Sequence, residues 1–374
     1  MIHVIAESSI PYLEGLVIEG LRLTRLENRD FTPQSISGAD ALIVRSITPC
    51  TEELLKGSSV RLICTATAGM DHIDLDFCAR SGIMVRSAAG CNATAVAEWV
   101  YSALSTWSDS SGQALEDKTI GIIGVGHVGR EVASRCTAFG LKPLLYDPPR
   151  AEREGSEGFC SLEQIWAEAD IITLHTPLTR EGAHPTFHLV DEGFVSRCQR
   201  KPILINACRG AVTDTAALIR GIRLGQLSAL MIDCWEGEPN PSTELLHLAH
   251  TATPHIAGFS ADGKLRGSHM SVEALCQHFG LPLTRGLYDT KALEQPKQPL
   301  RISSPKEVAL RHAMHHVLDL APLTERLKAQ PTAFEALRRS YHYPRETSAY
   351  TYQPTGDAEL DVALAVLGFT PHKA

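Results

Sequence analysis

The stretch Thr119-Ile120-Gly121-Ile122-Ile123-Gly124-Val125-Gly126-His127-Val128-Gly129 decides the fold. An apolar, strand-forming run leads into Gly-x-Gly-x-x-Gly and then into a helical pattern. Gly124 permits a tight turn, Gly126 lets a backbone approach a pyrophosphate, and Gly129 lets the helix pack closely on the strand. The helix start at His127 and Val128 then offers free amides and a partial positive charge to phosphate oxygens. A glycine pattern alone is a common turn. Set between strand and helix, it predicts a dinucleotide site.

The next strand, Leu144-Leu145-Tyr146, ends at Asp147, 18 residues after Gly129. An acid there binds the adenosine-ribose hydroxyls and repels a 2′-phosphate, which favours NAD over NADP. Arg150 leaves two readings open, a 2′-phosphate partner or a solvated loop charge.

Further along, three apolar strands end in reactive side chains. They are followed by Asn206-Ala207-Cys208-Arg209-Gly210, by Asp233-Cys234-Trp235-Glu236-Gly237-Glu238-Pro239, and by Thr253-Pro254-His255-Ile256-Ala257-Gly258. In an open parallel sheet the carboxyl ends of the strands form the ligand crevice, so these groups can converge. Loss of a hydride from an alcohol leaves a hydroxyl proton, and His255 has the pKa range to accept it. Glu238 can fix the imidazole tautomer, and Arg209 offers a planar fork for a carboxylate or a developing keto oxygen. Singly, each has an ordinary structural explanation; in this order they point to a dehydrogenase.

Outward from this core, apolar runs at His3 to Ala6, Ala41 to Val44 and Arg61 to Thr65 alternate with helical stretches, the mark of a second α/β layer. Helices are expected from Asn92 to Thr106 and from Ser260 to Phe279. Ser161 and Gln164 have the form of a capping box. Beyond Gly286 a proline-rich passage leads into helical patterns at Lys306 to Leu320, Thr332 to Ser340 and Ala358 to Leu367. The fold class is therefore α/β: two Rossmann-like doubly wound parallel-sheet domains plus a small C-terminal α+β domain. The boundaries expected are 1–95 with 258–285, 96–257, and 286–374.

At 374 residues, 44% hydrophobic and 21% charged, the chain has the size and composition of a multidomain globular protein. A formal net charge of −8 argues against a general nucleic-acid partner. No stretch reaches the roughly 20 apolar residues that cross a bilayer, and Met1 to Ile10 lacks the pattern of a secretory signal. The ten cysteines are scattered without a Cys-x-x-Cys pair, which predicts reduced thiols, a cytoplasmic protein and no structural metal.

The sequence resembles the D-isomer-specific 2-hydroxyacid dehydrogenases. The stretches that carry the resemblance are Thr65 to Gly69, Gly90 to Ala93, Gly124 to Gly129, Asp147 to Arg150, Asn206 to Val212, Trp235 to Pro239 and Thr253 to Gly258. It covers nearly the whole chain and weakens after Gly286. It implies catalytic roles for Arg209, Glu238 and His255, the last as proton-transfer residue. It implies NAD contacts at Gly124, Gly126, His127, Val128, Gly129, Asp147, Thr176, Ala207, Cys208, Arg209, Asp233 and Gly258. Substrate contacts fall on Ser46, Thr67 and Phe259, where the family pattern has tyrosine at the last position. The implied substrate is a small phosphorylated 2-hydroxy acid, and the implied assembly a homodimer through the C-terminal domain. Two alternatives stay open: a different 2-hydroxy acid such as 3-phosphoglycerate, and an NAD-sensing corepressor, a class that shares the fold and keeps similar catalytic residues.

Overall fold

A computed structural model of the chain describes residues 1–283, 293–296, 298–302 and 305–372. The chain divides into two compact units, Met1–Asn92 with Ser260–Gln295, and Ala93–Phe259 with Pro296–Ala374. The expected boundary at residues 285 and 286 lies outside the described residues.

In the first unit, strands β1 (Ile2–Glu7), β2 (Leu21–Leu26), β3 (Ala41–Val44), β4 (Leu62–Thr65) and β5 (Met84–Ser87) form a parallel sheet in the order β2-β1-β3-β4-β5. The three apolar runs named above are its central strands. Strands β3 and β4 are wholly buried because both faces are covered. β2 and β5 are edges; their sequences Leu-Arg-Leu-Thr-Arg-Leu and Met-Val-Arg-Ser mix charge with apolar residues because one side faces water. The long helix Ala261–Phe279 belongs to this unit, and the Ser260 hydroxyl caps its start by accepting the Gly263 amide at 2.9 Å. Its Val272, Leu275 and Cys276 pack with Val4, Ile43 and Leu62 on one face of the sheet.

The second unit is built on β6 (Thr119–Ile123), β7 (Lys142–Tyr146), β8 (Ile171–Leu174), β9 (Ile203–Asn206), β10 (Ala229–Ile232) and β11 (Thr251–Ala252), all parallel, in the order β11-β10-β9-β8-β6-β7. The chain steps from β6 outward to β7 and then returns past β6 to β8. That reversal opens a crevice between the carboxyl ends of β6 and β8, the switch point where ligands bind in such sheets. The helix expected from Asn92 runs Ala93–Ser111, and at Leu162–Glu168 the Ser161 hydroxyl accepts the Gln164 amide.

The sequence predicts a separate third domain for the C-terminal residues. In the structure their helices Lys306–Val317 and Ala358–Leu367 share one apolar core with Ala93–Ser111 and with β6, through Leu310, Met314, Leu364, Trp99, Leu104 and Ile122. A short strand at Thr351–Tyr352 pairs in parallel with Thr370–Pro371.

Candidate active site

At the switch point the glycine loop takes the shape its sequence demands. Gly124 has φ +87°, and a Cβ there would lie 2.7 Å from the His175 carbonyl oxygen, so backbone from β6 and β8 meets where only glycine fits. A Cβ on Gly129 would overlap the Gly124 carbonyl. Gly126 is left open at the N-cap of helix His127–Arg135, where His127 is exposed. A cavity of about 400 Å³ beside it is lined by Gly124, Gly126, Asp147, His175, Thr176 and Pro177, among others. Open loop, helix start, ribose-side acid and cavity fit a dinucleotide.

Asp147, the acid expected to meet a ribose, makes two backbone contacts of its own. Its Oδ2 accepts the Val125 amide at 2.8 Å and its Oδ1 accepts the Arg150 amide at 3.1 Å, which caps helix Pro148–Glu154 and pins the glycine loop. Arg150 is turned to structural work. It donates to the Val125 carbonyl at 2.7 Å, binds Glu154 and lies over the Phe159 ring at 5.2 Å. These contacts make Arg150 a packed helix residue, not the solvated loop charge of one reading, and engage its guanidinium in place of a 2′-phosphate. His175 borders the cavity, yet its Nδ1 is shielded from water and its Nε2 bonds the Thr173 hydroxyl at 2.9 Å. Burial holds its pKa down to about 3, so the ring is neutral.

The turn after β11 carries His255 in a left-handed conformation, φ +56°. A buried carboxylate explains how that turn is held. Asp233 Oδ1 accepts the Thr253 hydroxyl at 2.6 Å and the Ile256 amide at 2.8 Å, while Oδ2 accepts the Ala257 amide at 2.9 Å. The His255 amide donates to the Asp233 carbonyl at 2.9 Å. Burial raises the Asp233 pKa, with His255 and these donors opposing the shift. Thus Asp233, expected as a cofactor contact, is 1% exposed and organises the turn that carries His255. The imidazole it presents meets Glu238, with Nδ1 2.7 Å from Oε2. Facing a carboxylate, Nδ1 carries the proton, which leaves Nε2 as the basic nitrogen.

Arg209 follows β9 in a loop fastened to the Glu238 loop. Buried Asn206 donates to the Arg209 carbonyl at 3.0 Å and to the Cys234 carbonyl at 3.5 Å, and its Oδ1 accepts the Cys208 amide at 3.1 Å. A Cβ on Gly210 would overlap the Trp235 carbonyl, so the two loops touch backbone to backbone. Ala207 and Cys208 are buried beneath them. Burial raises the Cys208 thiol, so it is no nucleophile. Asn206, Trp235 and Thr253 have positioning roles the sequence did not single out. Each acts on loops distant in the chain, and residue type alone gave no signal of that.

In the first unit, Ser46 and Thr67 sit past the carboxyl ends of neighbouring strands β3 and β4. Buried Glu7 fixes the Ser46 turn by accepting the Arg45 amide at 3.1 Å and the Thr48 hydroxyl at 2.8 Å. Thr67 exchanges a hydroxyl hydrogen bond with Thr65 at 2.8 Å. Arg45 donates to Ser9, and Arg266 donates to the Cys91 carbonyl at 2.9 Å. Gly258 and Phe259 close the His255 turn, and the Phe259 amide donates to the Ile256 carbonyl at 2.8 Å.

Among the described residues, one group has metal-ligand proximity: Cys234, Glu238 and His255. Burial and the carboxylates of Asp233 and Glu238 push the Cys234 thiol well above its ordinary range. A protonated thiol is a poor ligand. The Glu238 and His255 pair has the geometry of a carboxylate and imidazole in hydrogen-bond contact, 2.7 Å apart.

A switch-point dinucleotide crevice with a histidine–carboxylate pair and an arginine at the strand ends defines a dehydrogenase of the 2-hydroxyacid class. Residues 88–257 match the D-isomer specific 2-hydroxyacid dehydrogenase, NAD binding domain. The chain is 47% identical over 350 residues to erythronate-4-phosphate dehydrogenase of Porphyromonas gingivalis, covering 93% of this chain and 94% of that one. It is 40% identical over 373 residues to the enzyme of that name from Yersinia enterocolitica, covering 98% of each. Among solved structures it is similar to D-lactate dehydrogenase from Aquifex aeolicus complexed with NAD and lactic acid. That match has TM-score 0.60 and 28% identity over 74% of this chain and 96% of the other. NAD-bound 3-phosphoglycerate dehydrogenase of Entamoeba histolytica matches with TM-score 0.64 and 25% identity, over 75% and 96% of the two chains. The chain belongs to the erythronate-4-phosphate dehydrogenases, within the D-isomer specific 2-hydroxyacid dehydrogenase family.

Proposed function

We propose that the chain oxidises 4-phospho-D-erythronate at carbon 2 to (R)-3-hydroxy-2-oxo-4-phosphobutanoate, a step of pyridoxine and pyridoxal 5′-phosphate biosynthesis. The reading is carried by the Glu238–His255 contact of 2.7 Å in a chain that aligns nearly end to end with relatives of that name. Bound NAD supplies the acceptor for the hydride that leaves carbon 2. His255 takes the hydroxyl proton at Nε2 while Nδ1 keeps its hydrogen bond to Glu238 Oε2. The imidazolium so formed is stabilised by the carboxylate beside it. Arg209 holds the substrate carboxylate or the developing keto oxygen through its guanidinium. Asp233 keeps His255 in place through the turn amides, and the loop amides from Gly126 to Gly129 receive the pyrophosphate.

Ser46 and Thr67 are substrate contacts in this scheme, supported by their place at the carboxyl ends of adjacent parallel strands. The chain works as a homodimer joined through the C-terminal residues 286–374, which carry no acid–base group of the scheme. A cytoplasmic location is supported by ten cysteines that are all free, eight of them buried. No helix among the described residues is long and apolar enough to cross a membrane.

A screen of 2-hydroxy acids with and without a terminal phosphate tests the proposal. Turnover highest with 4-phospho-D-erythronate is expected. Rapid turnover of 3-phosphoglycerate with none of the four-carbon acid would overturn the substrate and leave the chemistry standing.

A further inference from the structure

Phe259 stands four residues after the catalytic histidine and has no polar atom of its own to offer a substrate. Polar atoms gather around its ring from a segment about eighty residues further along the chain. The Tyr343 ring meets it edge-on at 5.6 Å, the Tyr341 ring lies at 6.5 Å, and the Arg338 guanidinium lies over it at 5.8 Å. Tyr341 and Tyr343 lie 6.5 Å from each other. Helix Phe334–Arg339 anchors this segment by burying Phe334 in the core beside β9 and β10. The loop after it therefore rests on the turn that carries His255.

Burial, together with the carboxylate of Asp233 that holds the His255 turn, pushes the Tyr341 phenol above its ordinary pKa. Tyr341 thus stays a hydrogen-bond donor beside the catalytic turn. The charge near Phe259 is also unbalanced. Glu335 is shared between Arg338 at 3.7 Å and Arg339 at 3.3 Å, so two guanidinium groups face one carboxylate. Arg339 is largely exposed, with 82% of its side chain in water, whereas Arg338 retains 23% and is held against the ring. An arginine with its stem packed, its charge incompletely paired and its fork close to a catalytic turn is built to receive an oxyanion.

We infer that Arg338, braced by Phe259 and Tyr341, binds the terminal phosphate of the substrate and selects phosphorylated acids over their unphosphorylated counterparts. The inference rests on the substrate reading above and assigns a specificity role to a segment outside the glycine-loop sheet. Arg338 touches the leaving end of neither proton nor hydride; it recognises the far end of the molecule.

The test compares kcat/KM for 4-phosphoerythronate and for erythronate in the wild type, Arg338→Gln and Arg338→Lys, with inorganic phosphate as a competing probe. In Arg338→Gln the value for the phosphorylated acid is expected to fall on the order of 10- to 100-fold, as when a charge-assisted hydrogen bond is lost. The value for erythronate and the KM for NAD stay within about twofold, phosphate inhibits less, and Arg338→Lys recovers part of the loss. Equal losses on both acids, or a wild-type ratio retained in Arg338→Gln, would overturn the inference. A wild type that does not prefer the phosphorylated acid overturns the substrate reading itself, and the inference falls with it.

Discussion

Glu238 divides its two oxygens between the imidazole and its own loop: Oε2 lies 2.7 Å from His255 Nδ1, and Oε1 accepts the Trp235 amide at 2.7 Å. A carboxylate held at one oxygen cannot rotate away from the imidazole it orients. Trp235 is in turn fixed by its indole N–H, which donates to the Thr253 carbonyl at 2.8 Å. The base, its orienting acid and the turn behind them form one closed circuit of hydrogen bonds.

Replacing Glu238 by glutamine keeps its shape and removes its charge. A fall in kcat of about 10- to 100-fold is expected, the worth of one hydrogen bond to a charged group, with the KM for NAD unchanged. His255→Ala is expected to cost more, on the order of 10² to 10⁴. Steady-state kinetics of both variants decide this; a Glu238→Gln enzyme of wild-type kcat would remove the carboxylate from the mechanism.

Asp147 carries two duties that one substitution exposes together. Asp147→Ala is expected to relax the preference for NAD over NADP, and also to lower stability by about 1 kcal/mol through loss of the helix cap. The ratio of kcat/KM for the two cofactors and a denaturant melt measure the two effects. Unaltered cofactor discrimination would argue against the ribose role.

A third expectation concerns Gly129. Any Cβ there overlaps the Gly124 carbonyl, so Gly129→Ala must push the helix start off the strand. Overpacking of this kind costs about 1 to 3 kcal/mol and displaces the amides that face the pyrophosphate. NAD titration followed by tryptophan fluorescence is expected to show binding weakened at least about 10-fold. An unchanged dissociation constant would contradict the packing argument.

Stability should also depend on pH through a carboxyl remote from the chemistry. Glu98, on helix Ala93–Ser111, is fully buried and accepts the Thr347 amide at 2.8 Å and its hydroxyl at 2.7 Å. Burial, together with Glu346, raises its pKa from an ordinary 4.5 to about 8. Between those values the folded state binds the proton and the unfolded chain does not. This contribution to stability is therefore present in full below about pH 4.5 and is lost as pH rises through about 8. Glu98→Gln, which keeps the acceptor and cannot ionise, is expected to gain on the wild type in melting temperature as pH rises. A constant difference between the two across that range would rule the titration out.

The fold was readable where physics leaves one residue type a single use. Glycines at 124 and 129 are dictated by backbone contact, and buried parallel strands such as Ala41–Val44 announce themselves as unbroken apolar runs. Edge strand Leu21–Leu26 was muted by the arginines that water requires of it. In the site, His255, Glu238 and Arg209 were legible by chemical type and position after strands. Their supports were not: Asn206 bridges loops 28 residues apart, and Thr347 reaches Glu98 across 249. The segment from Arg338 to Tyr343 carries no motif, so its place against Phe259 emerges only once the chain is folded.

The most direct measurement follows the carbon-2 hydrogen itself. Purified protein is given NAD and 4-phospho-D-erythronate deuterated at carbon 2, and the products are analysed by mass spectrometry. The expected result is reduced cofactor carrying the deuterium, in equal amount with (R)-3-hydroxy-2-oxo-4-phosphobutanoate. No reduction of the cofactor, or reduction without deuterium, would contradict oxidation at that carbon.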